Sequence, residues 1–192
     1  FKSSYTGTMR IFVTGATGFI GRALVPALQR EGHEVVAWVR SPARARGQLG
    51  ADVELVALEE GPEGDSRLET ALSRCQAVIN LAGEPILGGR WTRARRQALT
   101  ISRVDLTARL VRAIGAVTPR PQVLVSSSAV GLYGSQGDTV LTEASPAGAD
   151  FLASLCAAWE SAAFAARRFG VRVATVRTGV VLGRSEEHTS EL

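Results

Sequence analysis

Lysine is almost missing from this chain. Lys2 is the only one in 192 residues, so past the first residues no lysine can form a Schiff base or lower the pKa of a neighbouring phenol. Phenols are equally scarce, with Tyr5 and Tyr133 alone. The two cysteines, Cys75 and Cys156, both lie in apolar, periodic stretches. They make neither a disulfide framework nor a metal spacing, which predicts a reducing, cytoplasmic setting. No apolar run approaches the roughly 20 residues that span a bilayer, and no stretch near the start has the layout of a secretory signal. A membrane partner is therefore not expected.

What the chain has in excess is arginine. It carries almost all of the positive side of a formal charge of +4. The arginines are scattered, apart from Arg90, Arg93, Arg95 and Arg96. A basic face suits a nucleic acid, a solvated helix or an anionic small molecule. No nucleic-acid-binding motif accompanies these arginines, and Trp91 alone among aromatics lies within the cluster, so the expected partner is a small-molecule substrate and not nucleic acid.

The ends read differently from the middle. Residues 1–8 are small and polar without a period, and Met9 directly precedes the first apolar run. They are expected to be an extension with no part in the fold. Residues 184–192, RSEEHTSEL, match an in-frame translation of a common DNA-sequencing adaptor. On that expectation the tail is not native, His188 and the glutamates beside it have no function, and the natural chain continues past Gly183. The domain is then 9–183.

Within it, strands and helices alternate. Strands are expected at Arg10–Val13, Glu34–Val39, Val53–Leu58, Ala77–Leu81, Gln122–Val125 and Val171–Val176. Helices are expected at Phe19–Arg30, Asp65–Ser73, Thr92–Ala116 and Phe151–Phe169. Ile20, Leu24, Ala27 and Leu28 share one face of the first helix, and Ile101, Val104, Leu110, Val111 and Ile114 are candidate core residues of the third. Pro26 falls inside the first helix, where it should cost stability or bend it. The strands are continuous apolar runs, which implies a parallel sheet covered on both faces: an α/β, doubly wound architecture.

Directly after the first strand comes Gly15-Ala16-Thr17-Gly18-Phe19-Ile20-Gly21, opening the first helix. This is the context in which a glycine-rich turn seats a dinucleotide pyrophosphate. Gly15 permits the tight turn, Gly18 lets a phosphate approach the backbone, and Gly21 permits close packing of the helix. Amides and the helix dipole then favour the anion. At the end of the second strand an acidic residue would bind the ribose hydroxyls of NAD. This chain instead has Arg40 and Ser41, with Arg44 nearby. That combination suits the 2′-phosphate of NADP, so NADP is expected over NAD.

Four motifs then carry a resemblance: TGATGFIG at 14–21, INLAGEP at 79–85, VSSSAVGLYG at 125–134 and VRTGVVLG at 176–183. Together with GGRWT at 88–92 and DFLASLCAAWE at 150–160, they make the chain similar to the extended, epimerase-like branch of the short-chain dehydrogenase/reductase superfamily. Within it the chain resembles a poorly characterised subgroup of epimerase family proteins. The resemblance implies an NAD(P)-binding Rossmann fold. It further implies that Leu81, Ala82 and Gly83 line the nicotinamide ribose, that Ser126 and Arg177 border the cofactor, and that Ser128 takes the catalytic serine position.

The usual mechanism of that superfamily does not carry over. Most members place a Tyr and a Lys four residues apart on one helix face, and the Lys lowers the Tyr pKa for proton transfer. Anchored on Glu160, those positions here hold Leu152 and Cys156. Candidate substitutes are Tyr133, Glu143, Cys156 and Glu84, with Ser128 and Tyr133 the catalytic pair expected. Two functions follow: an NADP-dependent, epimerase-like oxidoreductase with an altered acid–base, or a non-catalytic NADP(H)-binding protein that senses redox state.

Overall fold

The structure is a computed structural model, which describes residues 7–86 and 90–182. Six parallel strands lie in the order β3-β2-β1-β4-β5-β6. They are β1 (Arg10–Thr14), β2 (Glu34–Val39), β3 (Glu54–Ala57), β4 (Ala77–Asn80), β5 (Val123–Ala129) and β6 (Arg172–Thr178). The order reverses direction between β1 and β4. In open α/β sheets, ligands bind at that switch point, outside the carboxyl ends of the strands.

The two faces divide the apolar residues by the alternation of the strands. Phe12, Val36, Trp38, Val78 and Leu124 point to one side. There they meet Leu68 and Leu72 of α3 (Pro62–Leu72), Leu110 and Ile114 of α5 (Leu106–Ala116), and Ala163 of α6 (Phe151–Phe164). Ile11, Val13, Val35, Ala37 and Val39 point to the other side. They pack on Val25 of α1 (Phe19–Arg30) and Ala45 of α2 (Pro42–Leu49). Beyond β5 this second face opens to solvent, and Ala174 and Val176 of β6 are exposed.

The predicted α1 and β2 coincide with the observed ones. Other elements differ for physical reasons. Helix α2 was not expected, although Pro42 at its first position and Ser41 as its cap are ordinary helix-start signals. Strand β5 runs to Ala129, because its serines continue the ladder with β6 out to Ala129 and Thr178.

Two packing faces need correcting. On α1 the buried positions are Gly21 and Val25, and Ile20 is exposed. The face is set by the close approach of Gly21 to the turn before it, and the helix continues through the exposed Pro26. The long third helix is continuous but contains a π-helical turn, Ile101–Asp105, between α4 (Arg93–Thr100) and α5. The wider turn shifts the helical phase. Ile101 faces solvent, while Leu99, Arg103 and Thr107 turn inward with Leu110, Val111 and Ile114.

Candidate functional site

The glycine turn sits at the switch point. Gly15 has φ +66°, and a Cβ there would stand 2.6 Å from the carbonyl oxygen of Leu81. A side chain at 15 would therefore collide with the loop that follows β4. A Cβ at Gly21 would lie 2.4 Å from the carbonyl oxygens of both Gly15 and Ala16. Gly18 is different. Its Cβ would meet only the Gly15 carbonyl, at 3.1 Å, so the fold alone demands little of this position. Gly18 is the N-cap of α1, with no side-chain cap and no acid in the first turn. The turn holds its own shape through Gly18 N–H donating to Gly15 O at 3.0 Å. Thr17 is half-buried, Ala16 is buried, and Phe19 and Ile20 are partly exposed beside the turn. A helix amino end with no side-chain cap and no negative charge fits a pyrophosphate.

The loop 81–84 forms the opposite wall. The hydroxyl of Thr14 accepts from the backbone N–H of Leu81 at 3.2 Å and of Ala82 at 3.1 Å, and donates to Asn80 Oδ1 at 2.6 Å. Asn80 Nδ2 in turn donates to Thr107 Oγ1 at 2.9 Å and Ser126 Oγ at 3.1 Å. Trp159 Nε1 donates to the same Thr107 oxygen at 3.0 Å. Asn80 is thus a buried rivet between β1, β4, β5 and α5. Ser126, expected beside the cofactor, is fully buried and held in this network.

At the end of β2, Arg40 is mostly exposed and makes an ion pair with Glu84 Oε1 at 2.8 Å. Ser41 Oγ caps α2 by accepting from Arg44 N–H at 3.5 Å, a distance at the edge of a real bond. Arg40, Ser41 and the amino end of α2 therefore meet at one corner of the sheet edge.

A second buried cluster lies over β5 and β6. Glu160 on α6 accepts from Arg177 Nε at 2.8 Å and Nη2 at 2.9 Å, and from Ser128 Oγ at 2.5 Å. Arg177 Nη1 donates to the phenol oxygen of Tyr133 at 2.8 Å and to the carbonyl of Glu143 at 2.9 Å. These donors hold the Glu160 carboxyl below its usual pKa, the Arg177 hydrogen bonds contributing most and Ser128 less, against the opposing effect of burial. The structure thus brings Ser128 and Tyr133 together through Glu160 and Arg177. At least three of the Arg177 N–H groups are thereby engaged by Glu160, Tyr133 and Glu143. Burial pushes the Cys156 thiol above its ordinary value, with Arg103 opposing. A raised thiol is a poor nucleophile near neutral pH.

Glu160 and Arg103 are the residues that sequence reading overlooked. Glu160 served there only as an anchor for alignment. Arg103 was available as a signal, being the one charged residue in the inward stripe of Leu99, Thr107 and Leu110. Of the four clustered arginines, Arg95 donates to the Pro85 carbonyl and Arg96 lies over the Phe151 ring, 5.3 Å from its centre. Leu87 and the first two residues of the GGRWT stretch (88–89), Gly183, the extension through residue 6 and the tail 184–192 lie outside the described residues. Among the described residues no helix is long and apolar enough to cross a membrane, and no group of side chains could hold a metal ion.

Comparison with known proteins agrees with this geometry. Residues 11–192 match the model of the NAD dependent epimerase/dehydratase family. The chain is 40% identical over 186 residues to an Arabidopsis thaliana protein described as a chloroplastic homolog of the epimerase family protein SDR39U1, covering 95% of this chain and 52% of that one. It is 38% identical to the epimerase family protein Mb2239 of Mycobacterium bovis, covering 90% and 54%. Among solved structures, human SDR39U1 (isoform 2) with NADPH superposes with a TM-score of 0.73 at 32% identity, covering 92% of this chain and 55% of that one. A Corynebacterium glutamicum nucleoside-diphosphate sugar epimerase gives 0.71 at 32% identity, covering 92% and 35%. The chain spans about half the length of the curated relatives it matches. With its Rossmann strand order and glycine turn, this chain belongs to the NAD dependent epimerase/dehydratase family.

Proposed function

We propose that this chain is the cofactor-binding half of an NADP-dependent, epimerase-like oxidoreductase acting on a nucleotide sugar or another small molecule. The observation that carries the reading is Arg40 and Ser41 at the end of β2, beside the glycine turn, where an NAD-selective site would place a carboxylate. The NADPH reported with human SDR39U1 supports the same choice.

Gly15, Ala16, Thr17, Gly18, Phe19, Ile20 and Gly21 form the pyrophosphate seat. Arg40 and Ser41 take the 2′-phosphate. Leu81, Ala82 and Gly83 form the wall on the nicotinamide side, and Ser126 and Arg177 stiffen the strand ends behind it. The cofactor, when bound, supplies hydride exchange. The protein's task is to position it, exclude water and move a proton. Ser128 and Tyr133 are the residues proposed to hold that proton, with the phenol oxygen positioned by Arg177 Nη1. Full-chain titration with NADPH and NADH tests the cofactor reading. Tighter NADPH binding is expected, and equal affinity for both overturns the assignment of Arg40.

Leu152 and Cys156 at the superfamily's Tyr and Lys positions favour a second reading, a non-catalytic NADP(H) sensor. Bound cofactor with no turnover across a broad nucleotide-sugar panel supports the sensor. Cofactor-dependent conversion of any panel member supports the enzyme.

A further inference from the structure

The π-helical turn Ile101–Asp105 places an arginine where a charge is costly. Arg103 is only 7% exposed. Its Nη2 donates to the carbonyl oxygen of Glu84 at 2.9 Å, and its Nη1 reaches Ser102 Oγ at 3.4 Å. Its guanidinium carbon lies 5.3 Å from the centre of the Trp159 ring. Among the described residues no carboxylate pairs with it. Three half-buried arginines take carboxylates: Arg10 takes Glu34 and Glu54, Arg109 takes Asp65, and Arg177 takes Glu160, whereas the half-buried Arg95 donates to the Pro85 carbonyl. The carboxylate nearest in sequence to the contact, that of Glu84, is occupied by Arg40.

A guanidinium has five donors in a planar fork, and the two bonds to neutral oxygens leave three of them. A cation removed from water without a counter-ion is expensive, and a ring face with two neutral acceptors offsets only part of that. Burial lowers the Arg103 pKa from its ordinary value, and the nearby Cys156 and Glu84 offset only part of that.

The position is specific. Gly83 has no side chain, and a Cβ there would stand 3.0 Å from the Arg103 guanidinium carbon. Glu84 N–H donates to Ser102 Oγ at 3.1 Å. The wall loop and the π-helical turn are therefore pinned together with the arginine beneath the loop. Trp159 shares α6 with Cys156, the residue at the superfamily's lysine position. The cation is thus delivered from the π-helical turn to the meeting point of the β4 exit and α6.

We propose that Arg103 is the receptor for an anionic oxygen group of the substrate, a carboxylate or a phosphate, beside the loop 81–84. The inference rests on the cofactor reading above, which makes that loop the wall on the nicotinamide side. The anion completes the charge balance that the protein leaves open, and the guanidinium fork sets its orientation.

The test is calorimetric titration of acetate and, separately, inorganic phosphate into the full chain presaturated with NADPH. Saturable binding of one of them is expected, and the tighter of the two names the anion class. Arg103→Gln is expected to weaken it at least tenfold while NADPH affinity stays within about twofold, and Arg103→Lys to retain part of it. An Arg93→Gln control, on the exposed start of α4, is expected to leave both unchanged. Should Arg103→Gln fail to fold, Arg103→Lys and the wild-type titration still decide. No saturable binding of either anion by the NADPH-loaded wild type overturns the proposal, as does equal anion affinity in the Arg103 variants. Loss of NADPH binding by the wild type would instead overturn the cofactor reading.

Discussion

Arg177 grips Glu160 with two parallel hydrogen bonds, Nε to Oε1 at 2.8 Å and Nη2 to Oε2 at 2.9 Å, with the carboxylate almost wholly buried. The pair joins α6 to β6 and carries Ser128 and Tyr133 with it. Removing one partner leaves the other charged and partly desolvated. Glu160→Ala is therefore expected to destabilise the chain by about 3 kcal/mol, the low end for a buried pair because Arg177 keeps some solvent. Glu160→Gln should cost less, since it keeps an acceptor. Denaturant midpoints at constant slope check both, and an unchanged midpoint for Glu160→Ala would show the pair to be idle.

The same pair sets a pH dependence. The folded-state pKa of Glu160 lies below its ordinary value. The unfolded chain therefore binds its proton first as pH falls, and the folded state loses stability. The contribution is fully present above the ordinary carboxylate range. It fades as pH drops through that range and is gone below the folded-state pKa. Stability of wild type and Glu160→Gln measured from pH 7 down to pH 3 should converge. Parallel curves would place the origin of acid sensitivity elsewhere.

Arg40 and Glu84 meet on the surface, and such a pair contributes about 0–1 kcal/mol. A 2′-phosphate bound by Arg40 would meet the like charge of the Glu84 carboxylate on the same guanidinium. Glu84→Gln is thus expected to tighten NADPH by up to about fivefold, the conversion of about 1 kcal/mol, and to leave NADH unchanged. Arg40→Asp is expected to weaken NADPH at least tenfold and to remove or reverse the preference. Titrations at one fixed salt concentration decide, because the interaction is screened.

Much of this arrangement is legible in the sequence. The glycine turn, the apolar strand runs and the arginine after β2 are local signals, and each is placed by its neighbours in the chain. The parts not legible are those set by distant contacts. The π-helical turn exchanges Ile101 for Arg103 at the core because the loop 83–84 supplies hydrogen bonds to Ser102 and Arg103. Glu160 has meaning only opposite Arg177, which lies on another element. The burial of Ser126 follows from Asn80, 46 positions away. Periodicity reports none of these pairings.

The three glycines of the turn should separate fold from binding. Gly21→Ala drives a methyl into two backbone carbonyls at 2.4 Å, which only movement of the helix start can relieve. Gly15→Ala adds a positive φ to a backbone clash with Leu81. Both are expected to destabilise the chain by more than about 1 kcal/mol. Gly18→Ala meets one carbonyl at 3.1 Å and should leave the unfolding midpoint nearly unchanged. Its methyl would instead stand at the helix amino end, in the seat proposed for the pyrophosphate. NADPH and NADH should then weaken together, at least tenfold, with their ratio preserved. That common loss distinguishes the seat from Arg40, which acts on NADPH alone. Full affinity in a folded Gly18→Ala chain would move the phosphates away from this turn.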